Sequence, residues 1–133
     1  MNEILEQIGE YKRKVREFES IIRVLRDAVE NTMTHTSIQD ITDTINRLME
    51  DVKNLENYFN NISSLFIENT TFEHVNNIPQ EIYSLLKFLK YALLNEEMDF
   101  KSDELLSFIE MIKRKSHYFA VSANNLKICI NTD

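Results

Sequence analysis

Apolar residues in the first half of the chain recur at alternating spacings of three and four. One run extends from Met1 to Val29 and a second from Ile38 to Phe66. This spacing is that of the a and d positions of a heptad repeat, which lie on one face of an α-helix. The members are Met1, Ile4, Ile8, Tyr11, Val15, Phe18, Ile22, Leu25 and Val29, then Ile38, Ile41, Ile45, Leu48, Val52, Leu55, Phe59, Ile62 and Phe66. The pattern predicts two long amphipathic helices.

The short polar segment between the two runs, residues 31–37, predicts a reversal of the chain. Its Asn, Thr and Ser side chains compete for backbone hydrogen bonds and favour a turn, and Thr36 or Ser37 is a suitable N-cap for the next helix. If the chain folds back here, Val29 lies opposite Ile41, and the same register continues along both runs. Residues 1–66 therefore predict an antiparallel helical hairpin of about 45 Å, at about 1.5 Å per residue.

The second half predicts a shorter hairpin, residues 79–130, after a polar connection at 67–78. Pro79 is expected at the first helical position, where its missing N–H has no intrahelical partner. A turn at 95–101 precedes a helix that starts at Ser102 and runs to about Ile128. One Gly and one Pro are too few for the turns of a sheet protein. We therefore expect a single all-α domain, a long antiparallel hairpin backed by two shorter helices in a four-helix-bundle-like fold.

Further apolar residues lie at the e and g positions beside the two seams. They give the hairpin an additional apolar flank, which must be covered either by the third and fourth helices or by a second chain. A homo-oligomer is therefore expected alongside intrachain packing. The candidate interaction flank consists of Leu5, Ile21, Met49, Tyr58 and Leu65.

The net charge of −7 arises between residues 30 and 81, which hold nine acidic and two basic side chains. This distribution repels phosphate backbones and disfavours nucleic acid as a partner. It indicates either a solvated surface or a face that meets a basic protein. The candidate acidic face is Asp40, Asp43, Glu50, Asp51 and Glu56. The basic residues of the first helix are interleaved with acids, so we interpret them as solvating groups.

Few residues suggest site chemistry. The three histidines lack the spacing of zinc ligands, and a cation loop would need a glycine that the acidic stretch 96–104 lacks. The only glycine, Gly9, lies within a helix pattern and cannot form a phosphate loop. Cys129 has no partner for an internal disulfide. We therefore expect no metal, no cofactor and no enzymatic activity.

One stretch, residues 116–126, resembles the phosphoacceptor helix of histidine phosphotransfer domains. The resemblance lies in His117, in the serine five residues after it and in the Asn-Leu pair that follows. It implies a four-helix bundle that accepts a phosphoryl group on His117. The lysine and glycine that follow the histidine in that family are Ala120 and Val121 here, so the cation for the phosphate is missing.

These observations favour a non-enzymatic protein–protein interaction module, an adaptor or assembly subunit whose helical faces bind another protein or itself. The alternative is an acidic regulator or inhibitor, encoded by a phage or another mobile element, that binds a host protein; the abundance of Asn, Ile and Lys is typical of AT-rich genomes, including viral ones. A third hypothesis is a histidine-dependent signalling or ligand-binding bundle. Without a membrane-spanning or signal segment, a cytoplasmic location is expected.

Overall fold

Four α-helices form the fold. The computed structural model describes residues 2–31, 38–95 and 102–129. Helix α1 spans Asn2–Asn31, α2 Ile38–Ile62, α3 Thr70–Leu94 and α4 Ser102–Asn124, with a 3₁₀ turn at Ser63–Leu65 after α2. Each helix packs against the next, and α1 also packs against α4. The predicted all-α, four-helix-bundle-like fold is confirmed.

The two heptad seams supply more than half of the apolar core, as their spacing predicts. Tyr11 packs against Phe59, its predicted opposite residue, with ring centroids 5.7 Å apart. The start of each seam is less covered, since Ile4 and Ile38 are 39% and 52% exposed, whereas the last members, Val29 and Phe66, are buried. From α3 and α4 the core takes Val75, Ile78, Ile82, Leu86, Leu89, Ile109, Ile112, Phe119, Ala120 and Ala123.

Helix α3 begins nine residues earlier than predicted, so the connection expected at 67–78 is wrong for residues 70–78. The Asn69 side chain caps the helix by accepting a hydrogen bond from the Phe72 N–H at 3.0 Å. Pro79 consequently lies inside the helix and is buried. The lost backbone hydrogen bond is tolerated because this first part of α3 is anchored by buried apolar residues, including Val75 and Ile78.

Helix α4 begins at Ser102 as predicted but ends at Asn124, four residues before the expected end. The chain beyond it is extended and pairs with the segment that follows α2. The Ile67 N–H donates to the Lys127 carbonyl at 2.9 Å, and the Cys129 N–H donates to the Leu65 carbonyl at 2.8 Å. This short antiparallel contact places Leu126 in the core.

The predicted turns at 31–37 and 95–101 fall almost wholly outside the described residues, as do Met1 and the last residues of the predicted short hairpin. None of the described helices is both long enough and apolar enough to cross a membrane.

Candidate protein-binding face

The candidate interaction flank does not form one exposed surface. Ile21, Met49, Tyr58 and Leu65 are partly buried against the core of the same chain. Tyr58 is further fixed by its hydroxyl, which donates to the Gln7 carbonyl at 3.1 Å. Only Leu5, 51% exposed, remains largely open. The reason is geometric, because in a four-helix bundle the e and g positions of each helix face its two neighbours.

The candidate acidic face is likewise divided. Asp40, Asp43 and Glu50 are exposed, whereas Asp51 and Glu56 are half-buried. Asp43 accepts a hydrogen bond from the Gln39 side chain at 2.9 Å. On helical geometry Glu56 points to the opposite edge of α2 from the others. Four of the five carboxylates therefore share one side of α2, and Glu56 does not.

A shallow groove of about 210 Å³ lies between α1 and α2 on the outside of the bundle. Its lining combines apolar side chains with charges of both signs, among them Lys14 and Asp51. Partial burial raises the pKa of the Asp51 carboxyl, and Arg47, 3.8 Å away, opposes that shift. The complete lining is Lys14, Glu17, Phe18, Ile21, Arg47, Asp51, Asn54, Leu55 and Tyr58.

Polar contacts at regular heptad spacing join α1 to α4. On α1 they involve residues 12, 19 and 26, and on α4 residues 124, 117 and 110. Lys12 Nζ donates to the Asn124 carbonyl at 3.3 Å. We call these three contacts the α1–α4 ladder. Each step of seven residues on one helix matches seven on the other, so the helices are antiparallel and in register.

The central contact of the ladder joins Glu19 and His117. Glu19 Oε1 lies 2.8 Å from His117 Nδ1 and 3.4 Å from Arg23 Nη2. The Glu19 side chain is only 14% exposed, whereas that of His117 is 66% exposed. The carboxylate is therefore turned into the ladder and the imidazole ring lies at the surface.

At one end of the ladder, Arg26 Nε donates to the Glu110 carboxylate. This hydrogen bond raises the pKa of the Arg26 guanidinium and lowers that of the Glu110 carboxyl, so both groups are held in their charged forms. Arg26 also contacts Glu30 on its own helix. The acidic side chains along this edge are thus matched by bases.

Exposed basic residues lie on the outer side of the ladder. On α1 the row adjacent to the ladder contains Arg16 and Arg23, and on α4 it contains Arg114 and Val121. All four are exposed, while Ala120, on the opposite side of the α4 contacts, is buried. From Met111 to Cys129 the chain carries no acidic residue. Together with Tyr118, these four residues form what we call the α1–α4 face.

The outer surface of α4 also carries a second apolar stripe. Met111, Tyr118 and Val121 are 43%, 48% and 43% exposed. Their spacing of seven and three residues places them on the side of the helix away from the core residues Ile109 and Ile112. Tyr118 is steadied by an edge-to-face contact with His74 on α3, with ring centroids 5.2 Å apart. This stripe adjoins the arginine row at Val121.

Groups for metal or covalent chemistry do not converge in the described part of the chain. Within residues 2–31, 38–95 and 102–129, no three His, Cys, Asp or Glu side chains are grouped to hold a metal ion. Cys129 is exposed and its thiol is free. The phosphoacceptor role that the resemblance implies for His117 stays a hypothesis.

The α1–α4 face was missed at the level of sequence because it joins residues about 100 positions apart. In the sequence the basic residues of the first helix are interleaved with acids, and several do pair locally, such as Arg13 with Glu10 and Glu17. A usable signal was the heptad spacing of 110, 117 and 124, which matches that of 12, 19 and 26.

Comparisons of the chain with protein families, curated proteins and solved structures found no match.

Proposed function

We propose that this protein is a non-enzymatic protein–protein interaction module, an adaptor or assembly subunit that binds another protein through the outer surface of α4. The observation that carries the proposal is the second apolar stripe, Met111, Tyr118 and Val121, on a helix whose core face is already buried. An amphipathic helix needs one apolar face to pack into a bundle. A second stripe is not required by the fold, and it is available to a partner.

The composition of this surface supports a binding role. Tyr and Arg are the side chains that most often dominate the energy of protein interfaces, and Met adapts to irregular partner surfaces. Here Tyr118 and Met111 lie on the same helix face as Arg114. Exposed apolar groups that are clustered and rimmed by charge mark interaction sites more reliably than isolated ones.

The test is affinity capture from the native host, comparing the wild type with the variant M111S/Y118S/V121S. We expect the wild type to retain a partner in stoichiometric amount, and the variant to lose most of it, because each substitution removes apolar area from the contact. Mass spectrometry of the eluted proteins gives the ratio of partner to bait. Circular dichroism spectra establish that both proteins are equally helical.

The matched control is V24S/I67S/L94S, which changes three other exposed apolar residues away from this stripe. Equal capture by the wild type and the α4 variant would contradict the proposal. So would a loss of the partner in the control variant alone.

A second candidate function is the acidic regulator or inhibitor, favoured by the exposed carboxylates of α2. Asp43 and Glu50 are seven residues apart and exposed on the same outer row of the helix. If these groups bind a basic host site, the variant D43N/E50N captures less partner and the wild-type complex dissociates as salt rises from about 0.05 to 0.5 M. Capture that resists salt and depends on the α4 stripe instead excludes this function.

A further inference from the structure

We propose that the α1–α4 face binds an acidic amphipathic helical segment of another protein. This inference rests on the proposed function and specifies the chemistry of its partner. The face consists of Arg16 and Arg23 on α1, and Arg114, Tyr118 and Val121 on α4.

The α1–α4 ladder fixes the geometry of the face. Because residues 12, 19 and 26 contact 124, 117 and 110, the rows next to them run side by side on the outside of the bundle. Arg16 and Arg23 are two helical turns apart, about 10 Å at 1.5 Å per residue. Arg114 and Val121 have the same separation on α4. The rows together match a partner helix of two to three turns.

The charges of the face specify an acidic partner. Glu110 is engaged with Arg26, and Glu19 lies against both His117 and Arg23, so Arg23 is already partly neutralised. Arg16 and Arg114 are exposed, and Arg23 keeps only part of its donors for a partner. A guanidinium binds a carboxylate through two parallel hydrogen bonds, which makes arginine well suited to Asp and Glu side chains.

The apolar members of the face distinguish an amphipathic helix from a purely acidic chain. Tyr118 and Val121, each over 40% exposed, lie beside Arg114 and offer contact area that only apolar side chains would cover. A partner with carboxylates seven residues apart and Leu or Phe between them satisfies both requirements. This is the pattern of an amphipathic helix that docks on another helical surface.

Two other occupants fit the face less well. Nucleic acid supplies negative charge, but the whole chain carries −7 and would repel its backbone outside this limited area. A second copy of this chain could present the acidic side of α2. Among the described residues of α2, however, the only large apolar side chain that is largely exposed is Ile38, at one end of the helix.

The experiment is selection of peptides of about 15 residues from a random-sequence display library against the full-length protein. Two variants serve as counter-targets, R16Q/R23Q/R114Q and the control R47Q/K53Q/K87Q, which removes the same charge from α2 and α3. We expect the enriched peptides to be rich in Asp and Glu, with apolar residues at helical spacing. Their affinity should fall about tenfold or more for the first variant and stay nearly unchanged for the control, because only the first loses paired guanidinium donors.

The outcomes separate this inference from the proposed function. Enriched peptides that depend on Met111, Tyr118 and Val121 but are neutral or basic overturn the acidic-partner inference alone. If the binding of every enriched peptide is unchanged by substitutions in the α4 apolar stripe and in the α1–α4 face, both proposals fail. Concentration-dependent self-association in sedimentation velocity that the R16Q/R23Q/R114Q variant abolishes would assign the face to a second copy and overturn the inference.

Discussion

Tyr11 is the residue at which burial has its clearest electrostatic consequence. Its side chain is fully buried, and its hydroxyl has no hydrogen-bond partner among the described residues. Burial raises the pKa of this hydroxyl well above its ordinary value of 10.0. In the folded protein Tyr11 therefore keeps its proton at a pH where the unfolded chain releases it.

The Tyr11→Phe variant tests this consequence. A raised folded-state pKa contributes stability that is fully present below about pH 10 and is lost as the pH rises, because the unfolded chain ionises first. The variant lacks this titration. The difference between its free energy of unfolding and that of the wild type should therefore rise, in favour of the variant, by about 1.4 kcal/mol for each pH unit above about pH 10. Urea denaturation at several alkaline pH values measures the difference.

The wild type measured near neutral pH and in alkali is the internal reference, because burial of the Tyr11 hydroxyl acts only where the unfolded chain ionises. If the difference in free energy of unfolding between Tyr11→Phe and the wild type is the same near neutral pH and in alkali, the Tyr11 hydroxyl reaches solvent in the native state.

At the scale of the helix, Asn69 determines where α3 begins. We expect Asn69→Ala to lower the free energy of unfolding by about 1 kcal/mol, because the Phe72 N–H loses its acceptor. Hydrogen exchange at residues 70–78 should accelerate more than exchange elsewhere in α3. Asn57→Ala, at an exposed site inside α2, removes an equivalent amide without a cap and should not destabilise the protein. Equal effects of the two substitutions would contradict the capping role.

Helix boundaries show why the sequence predicts some elements better than others. The seams of α1 and α2 follow a strict period, and that period alone determined the pairing of Tyr11 with Phe59. The start of α3 depends on a competition between Pro79, which is typical of a first turn, and the cap at Asn69. Tertiary packing decides it, because Phe72 contacts Phe59 at a ring-centroid distance of 5.2 Å. Packing between distant segments is not visible in local sequence patterns.

The end of α4 illustrates the same limit. Apolar residues continue in helical spacing to Ile130, so the periodicity predicts a helix to about Ile128. The structure instead turns the chain after Asn124 and pairs its backbone with Leu65 and Ile67. Leu126 is buried in the core although it lies beyond the end of α4, so its place in the hydrophobic pattern does not show where the helix ends.

Cys129→Pro tests this backbone pairing. Proline lacks the N–H that donates to the Leu65 carbonyl, so we expect a loss of about 1 kcal/mol in the free energy of unfolding. Cys129→Ala keeps the N–H and changes only an exposed side chain, so it should behave like the wild type. Urea denaturation of the two variants gives the comparison. An Ala variant as unstable as the Pro variant would show that the thiol, and not the backbone contact, matters.

At the scale of the whole molecule, the α1–α4 face and the core use different parts of α1 and α4. The core is apolar and closed, whereas the α1–α4 edge is joined by polar contacts on the surface. The sequence located the core well, since every seam residue between Ile8 and Val29 that the heptad predicts is buried. It did not locate the face, because that required the register of α4 against α1.

We expect a substitution in the core to lower the stability of the protein and a substitution in the α1–α4 ladder to leave it nearly unchanged. Leu86→Ala, at a fully buried position of α3, should lower the free energy of unfolding by about 2–5 kcal/mol. Arg26→Gln breaks the contact with Glu110, but both side chains are about one-third exposed and screened by water, so its stability should be hard to resolve from that of the wild type. Urea denaturation at about 0.05 and 0.5 M salt provides both comparisons.

A large loss of stability in Arg26→Gln, or a marked loss of wild-type stability in salt, would show that the ladder holds the bundle together. If the ladder contributes little, the outer arginines can be replaced without unfolding the protein. Loss of peptide binding in R16Q/R23Q/R114Q then reports on the face itself. If the fold does not depend on the ladder, the surface residues of α1 and α4 can change to suit a partner without a loss of stability.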